Sequence, residues 1–287
     1  MNAIPRPSHA VAPQPPRTAT LLERLQALAQ CPRAEGYACI TARREHGALA
    51  VDVAQPTIAI VLQGAKRVRG AGEALAFAPG DLFLMARRCR LDVVNIPDPR
   101  TGLYLTLGVP LCEEAIAAAR LLWREPPQAP GPEIARYPAE AFASELARWI
   151  DAIQAGRYTE ARLALTALAV SLCRLGHGAI LAPPPPDLSR RIREMVAARP
   201  DHDWQSHDFE RALGLSGATL RRRLAAERTR LRDQIAGARL AAALDLLYTT
   251  RWPVKTVAAR VGYRSVASFA RRFAERYGME PGRIGNA

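Results

Sequence analysis

Between residues 37 and 108 the apolar positions come in short runs or alternate with polar ones. TIAIVLQG, EALAFAPGDLFLMA, CRLDVVNI and TGLYLTLGV are separated by Gly, Pro and Asp. Period-two patterning of this length predicts the strands of an antiparallel sandwich or barrel. APGD at 78–81 reads as a turn between two of them. After Pro110 the apolar spacing lengthens to three and four residues in CEEAIAAARLLWR, AEAFASELARWIDAIQ and TEARLALTALAVSLCRL, which predicts helices. A further helix is predicted over 20–30 (TLLERLQALAQ), with Thr20 as its N-cap. Phe142, Leu146, Trp149, Ile150 and Ile153 share one helical face, which serves either as domain core or as a dimer seam.

Beyond 187 the pattern is helical throughout. The predicted spans are 188–198, 206–213, 217–226, 231–248, 254–261 and 265–276, with a short one near 281. Gly214, Gly262 and Gly278 fall just after helical patterns, where a C-terminal cap needs positive φ. Pro253 stands at a helix start. LAPPPPD at 181–187 has the composition of a semi-rigid linker. The expected organisation is a Pro-rich disordered tail (1–17), a strand-rich domain (18–180), the linker (181–187) and an all-α domain (188–287). With 287 residues the chain has enough for two domains, each with its own core. The fold class is therefore α+β in two domains.

Ser216-Gly-Ala-Thr-Leu-Arg-Arg-Arg-Leu224 and Ser265-Val-Ala-Ser-Phe-Ala-Arg-Arg-Phe273 align at a constant offset of 49. Each follows a short apolar helix and a glycine turn, the plan of a helix-turn-helix. Leu220 and Leu224, or Phe269 and Phe273, are i and i+4 and anchor one face. The other face carries Gly217, Ala218, Arg221 and Arg222, or Val266, Ala267, Ala270 and Arg271. Small residues there permit close approach to base edges, and arginine can pair with guanine O6 and N7. Ser216, Thr219, Ser265 and Ser268 are suited to capping the helices or bonding phosphate. The helix predicted over 231–248 is about 25 Å long, which suits two units entering successive major grooves roughly 34 Å apart.

Charge agrees with this reading. The net charge is +13. Residues 187–287 hold 20 Arg and Lys against 11 Asp and Glu, while the first 186 hold 20 against 16. The positive excess thus concentrates where the repeat lies and favours an acidic partner. A genomic bias toward Arg codons is the plain alternative for the surface arginines, because lysine occurs only at 66 and 255. Five cysteines, at 31, 39, 89, 112 and 173, with no Cys-x-x-Cys, suggest neither a disulfide framework nor a zinc ribbon. A cytoplasmic protein is expected, with no signal peptide and no apolar run long enough to span a membrane.

Residues 239–284, RLAAALDLLYTTRWPVKTVAARVGYRSVASFARRFAERYGMEPGRI, resemble the C-terminal signature of the AraC/XylS family of bacterial transcriptional regulators. The matching elements include Arg239, Leu246-Leu247, Val257-Ala258, Gly262-Tyr263, Ser265, Phe269, Arg271, Phe273, Gly278, Pro281 and Arg283. The resemblance extends over roughly 188–284. Asp203, Trp204 and Gln205 depart from its apolar lead-in, and Ile284 from the aromatic-type run expected after Arg283. It implies a sequence-specific DNA-binding transcriptional regulator, activating rather than repressing, with promoter DNA and RNA polymerase as partners. It assigns base contacts to Ala218, Arg221, Arg222, Val266, Ala267, Ala270 and Arg271. Phosphate contacts fall to Ser216, Thr219, Arg223, Arg264, Ser265, Ser268 and Arg272. The second set of base-facing residues is mostly small and apolar, so the first unit is expected to discriminate sequence more strongly.

The N-terminal part, with IVLQGAKRV and FAPGDLFLM, resembles the cupin-like domain common in this family, which implies effector binding, dimerisation or both. Its interior either forms a pocket, with Leu, Val and Tyr104 lining it, or packs as a core. The basic pairs Arg43-Arg44, Lys66-Arg67 and Arg87-Arg88 either attract an anionic ligand or are solvated loop charges, the reading preferred here. A homodimer is expected, with its seam on the helices at 139–155 and 159–176. The alternative is a cupin-like metal enzyme, or a DNA-repair protein, fused to the same DNA-binding module. Of the five histidines only His46 lies in the strand region, and Cys112 has no histidine beside it. No catalytic residue, metal or cofactor is therefore expected.

Overall fold

The computed structural model describes residues 19–30, 33–70, 72, 74–125, 131–182 and 188–284. The Pro-rich residues 1–17, and residues 183–187 of the linker, lie outside the described residues. Helix α1 (Leu21–Leu28) opens on Thr20, whose side chain accepts from Glu23 N while the Glu23 carboxylate accepts from Thr20 N at 2.7 Å. This reciprocal cap satisfies two N–H groups that the helix start leaves without partners.

The strands are β1 (Arg33–Ala34), β2 (Tyr37–Ala42), β3 (His46–Val53), β4 (Thr57–Gln63), β5 (Ala65–Arg69), β6 (Ala74–Phe77), β7 (Asp81–Met85), β8 (Cys89–Ile96), β9 (Tyr104–Pro110) and β10 (Ile134–Pro138). They form two antiparallel sheets, ordered β1-β2-β9-β4-β7-β10 and β3-β8-β5-β6. The second sheet buries its inward positions, and its outer face carries exposed ion pairs such as Arg69–Asp92 at 2.8 Å. The first sheet is covered on both faces. Ala59, Val61, Phe83, Met85 and Tyr104 face the second sheet's Ala48, Val68, Phe77, Leu91 and Val93. Ile58, Ile60, Leu62, Leu82, Leu84, Leu107 and Val109 face helices instead. Two-sided burial explains why β4 reads as a nearly continuous apolar run and not as an alternation.

Those helices are α1, α2 (Glu113–Leu122), α3 (Ala143–Gln154) and α4 (Tyr158–Arg174). Phe142, Leu146, Trp149 and Ile150 are buried against the sheet, so their shared face is domain core rather than a seam. The region after Pro110 is not wholly helical as its spacing predicts. Ile134–Pro138 forms β10, with Ile134 opposite Met85. At five residues it is too short to display a period, and it lies at the sheet edge, where Pro138 costs no ladder bond.

The C-terminal helices follow their predicted spans closely: α5 (Leu188–Ala198), α6 (Ser206–Leu213), α7 (Gly217–Ala226), α8 (Leu231–Thr249), α9 (Val254–Arg260) and α10 (Val266–Tyr277). Their packing departs from the expectation of one core per domain. Leu188, Ile192, Val196, Trp204, Phe209, Leu220, Leu224 and Ala238 make a core of their own around α5–α7 and the start of α8. Leu240, Leu244, Leu247, Phe269, Phe273 and Tyr277 instead join the interior of the sandwich in one continuous cluster. Helix α8 packs against β2, and α10 against β3. The second helix-turn-helix unit is thus built onto the sandwich, and the first is not.

Candidate nucleic-acid interface

The two repeats fold alike. Helix α6 ends at Gly214, which is left-handed at φ 63°, and Ser216 caps α7 by accepting from Thr219 N at 3.3 Å. In the second unit Ser265 caps α10 by accepting from Ser268 N at 3.3 Å, and Gly278 ends it at φ 73°. Leu220 and Leu224 are buried in one unit, as Phe269 and Phe273 are in the other. The i, i+4 pair therefore faces inward in both, as its spacing predicts.

The opposite faces are open. Ala218, Arg221, Arg222 and Arg223 are exposed on α7, and Val266, Ala267 and Arg271 on α10, while Ala270 is half-buried. Ser216, Arg264 and Ser265 are exposed, and Thr219, Ser268 and Arg272 half-buried. Among the described residues no carboxylate pairs with Arg221, Arg222 or Arg223, whereas Arg271 Nε lies 4.0 Å from Glu275 Oε1. Unpaired guanidinium groups on an exposed face are available to phosphate or to base edges.

A junction fixes one unit against the other. Arg239 of α8 donates from Nε to Pro200 O at 3.0 Å and from Nη2 to His202 O at 2.7 Å. On the other side of this guanidinium lies Gly262, at φ 80°, where a Cβ would meet Pro200 O at 2.7 Å and Arg239 Cζ at 2.9 Å. Arg239 and Gly262 thus hold the loop entering the first unit against the turn of the second, and any larger residue at 262 would push them apart. Beside this junction runs a cleft of about 480 Å³ lined by Trp204, Arg232, Arg239, Tyr263 and Arg272 among others, none of its lining residues acidic. The 19 residues of α8 span about 28 Å.

The sandwich interior holds one group that the sequence places elsewhere. Lys66 is not a solvated loop charge. It lies on β5 and points inward at 4% exposure, with Nζ 2.6 Å from Asn95 Oδ1 and 5.5 Å from the centre of the Tyr104 ring. Burial lowers its pKa to about 7. The signal for it was the alternation in AKRVR, which sets Lys66 and Val68 on one face. Arg43, Arg44, Arg87 and Arg88 are exposed. Tyr104 is wholly buried and donates to Thr106 Oγ1 at 2.6 Å. His46 is buried too, 3.3 Å from the Tyr248 hydroxyl of α8. Among the described residues no three His, Cys, Asp or Glu side chains gather as metal ligands. Cys112 is half-buried, and burial raises its thiol pKa, the opposite of what an alkyl-accepting thiolate needs.

The model of a helix-turn-helix domain family matches residues 210–286. Over 74 residues the chain is 39% identical to HTH-type transcriptional regulators of Mycobacterium tuberculosis and Mycobacterium bovis, covering 26% of this chain and 22% of each relative. Residues 210–286 are thus similar to a helix-turn-helix domain found in transcriptional regulators. The chain spans about a fifth of the length of the curated relatives it matches. Among solved structures, an apo form of a ToxT variant from Vibrio cholerae superposes with a TM-score of 0.59 at 12% identity, over 87% of this chain and 97% of that one. The unsaturated fatty acid bound form of wild-type ToxT gives 0.57 at 13%, over 85% and 92%. The chain therefore shares ToxT's two-part fold, a cupin-like sandwich followed by a helical region. No described helix is long and apolar enough to cross a membrane.

Proposed function

We propose that this chain is a cytoplasmic, sequence-specific transcriptional regulator that binds promoter DNA through both helix-turn-helix units and activates transcription with RNA polymerase. In this reading residues 18–180 form the regulatory domain, 181–187 the linker and 188–287 the reader of DNA. The observation that carries it is the pair of units at an offset of 49, each capped by serine and each presenting arginine on its open face. Bases are read by Ala218, Arg221, Arg222, Val266, Ala267, Ala270 and Arg271. Phosphates are held by Ser216, Thr219, Arg223, Arg264, Ser265, Ser268 and Arg272. Both serine caps use an oxygen lone pair for the helix, and the Ser265 hydroxyl hydrogen remains to donate to phosphate.

The test is binding to duplexes selected from a random pool. Affinity is expected to fall at least ~100-fold between about 50 and 200 mM salt, because arginines release counterions from phosphate. Arg222→Ala is expected to cost about 1–3 kcal/mol and to relax sequence preference, more than Arg271→Ala does. A flat salt response, or the reverse order of the two variants, overturns this reading.

A homodimer completes the proposal. With the face of α3 buried in the core, the seam falls on the leucines left exposed on α2 and α4: Leu121 at 78%, Leu122 at 67% and Leu163 at 63%. Sedimentation of the full chain checks this, and Leu163→Asp is expected to shift it toward monomer. An apolar anion, such as the unsaturated fatty acid bound to ToxT, suits an interior that places one buried cation, Lys66, among aromatic rings. Thermal-shift screening of fatty acids tests that class of effector.

A further inference from the structure

We propose that His46, Asn95 and Tyr248 form a proton-operated latch that holds the second helix-turn-helix unit against the sandwich near neutral pH and releases it in mild acid. Its consequence for DNA rests on reading α10 as a DNA-binding helix, whereas the latch itself does not.

The register of the second sheet creates the cluster. Asn95 of β8 lies directly opposite His46 of β3 on one side and Lys66 of β5 on the other. All three side chains are buried, and Tyr248 of α8 closes over them, its ring stacked on that of His46 with centres 5.6 Å apart. The hydrogen bonds admit one arrangement. Arg44 O, 3.1 Å from His46 Nδ1, can only accept, so Nδ1 carries the hydrogen. Nε2 is then an acceptor, 3.3 Å from the Tyr248 hydroxyl and 3.3 Å from Asn95 Nδ2. Lys66 donates to Asn95 Oδ1, which fixes the amide so that its NH₂ faces the imidazole.

The bond from Asn95 Nδ2 to Nε2 requires a neutral His46. A proton on Nε2 would point N–H at the Asn95 NH₂, donor against donor. Tyr248 can turn its hydroxyl to accept, but Asn95 cannot flip without setting its NH₂ against Lys66. The new cation would also stand beside the buried Lys66. The other titratable groups facing the cluster are Tyr104 on β9, Tyr248 on α8 and Tyr277 on α10, all of whose pKa values burial pushes up, so none supplies a compensating negative charge near neutrality. β2 contributes the uncharged Thr41, whose hydroxyl donates to Tyr248 O, and β7 the ring of Phe83. Asp52 of β3 pairs with Arg276 of α10 at the edge of the same contact, and Glu45 with Arg67 on the surface.

Burial holds the His46 pKa below its ordinary value; the Arg44 carbonyl acts the other way and Lys66 lowers it further. A released imidazole regains that ordinary value, so opening takes up a proton. The latch is accordingly at full strength above the ordinary histidine range and weakens as pH falls through it.

Hydrogen exchange on the full chain without DNA tests this at about pH 7.5 and about pH 5.5, with rates corrected for intrinsic exchange. Amides of β3 and of residues 240–249 are expected to lose protection roughly tenfold in acid while β4 keeps its own. His46→Gln, which cannot take up the proton at this position, is expected to show a clearly smaller acid loss, the remainder being that of Lys66. Asp52→Asn is expected to keep the loss, because it leaves the imidazole intact. Tyr248→Phe, should His46→Gln not fold, is expected to start at the low protection wild type reaches in acid. Equal wild-type protection at both pH values, or an acid loss in His46→Gln matching wild type, overturns the proposal. Since no DNA is present, either result leaves the DNA-binding reading standing, and a flat salt response in DNA binding leaves the latch standing.

Discussion

The two helix-turn-helix units share a sequence pattern and differ in what lies behind them. The first encloses its own core, with Leu220 and Leu224 packed among Ile192, Val196 and Phe209. The second shares its core with the sandwich: Phe269 and Phe273 belong to the same cluster as Val61, Phe83 and Tyr104. One helix serves both arrangements. Leu231, Ile235 and Ala238 of α8 pack toward the first unit, and Leu240, Ala243, Leu244 and Leu247 toward the second and the sandwich. A change inside the sandwich therefore reaches the second unit through packed side chains, and the first only through α8 and the Arg239–Gly262 junction. A repeat in sequence need not be a repeat in mechanical coupling.

The sharpest way to break this comparison is to truncate one buried anchor in each unit. Leu224→Ala is expected to cost about 2–5 kcal/mol and Phe273→Ala about 3–5 kcal/mol. Their reach should differ more than their size. Hydrogen exchange is expected to show Leu224→Ala loosening 188–226 and the start of α8, and Phe273→Ala loosening the rest of α8, α9 and α10 together with β2 and β3. Loosening of the sandwich by both variants would mean that the first unit is coupled to it as well.

A smaller effect sharpens the electrostatic side. The Lys66 pKa of about 7 lies below the ordinary 10.5, so folding releases a proton between those values. The folded state is then fully stable above the ordinary lysine range and loses ground as pH falls toward 7, by up to ~1.4 kcal/mol per pH unit. Lys66→Met removes this slope, and thermal melts between about pH 7 and pH 10 would show it as a flatter curve. An unchanged slope would place the titrating group elsewhere.

The smallest comparison uses the two helix-ending glycines. Both are left-handed, but a Cβ on Gly214 meets nothing within 4 Å, whereas one on Gly278 meets Leu49 Cδ1 at 2.7 Å. Gly214→Ala is expected to cost about 1 kcal/mol, from backbone strain alone. Gly278→Ala should cost more, and Leu49→Ala should recover the excess in chemical denaturation. Equal costs would mean that Leu49 yields freely.

Much of this was legible in the sequence because it is local. Helix spans, glycine ends and serine caps depend on neighbours within a turn, and α7 and α10 lie within a residue or two of where their apolar period puts them. The inward faces of the candidate DNA helices come from the same spacing. What was not legible depends on partners far along the chain. Lys66 reads as half of a dibasic pair until Asn95, 29 residues away, is set opposite it. Tyr248 and His46, 202 residues apart, meet only because α8 lies on the sandwich. The local hint of the α8 contact was α8 itself, whose apolar residues run round more than one face, as a helix covered on two sides requires.

In the proposed function two units read one face of DNA, and only the second is anchored to the sandwich. Hydroxyl-radical footprinting of the full chain on a selected duplex tests it most directly, with wild type and Leu224→Ala side by side. Two protected patches are expected on one face, about 10 base pairs apart, with the variant losing one patch and keeping the other. A single patch, or two patches on opposite faces, or both lost together in Leu224→Ala, would contradict that reading.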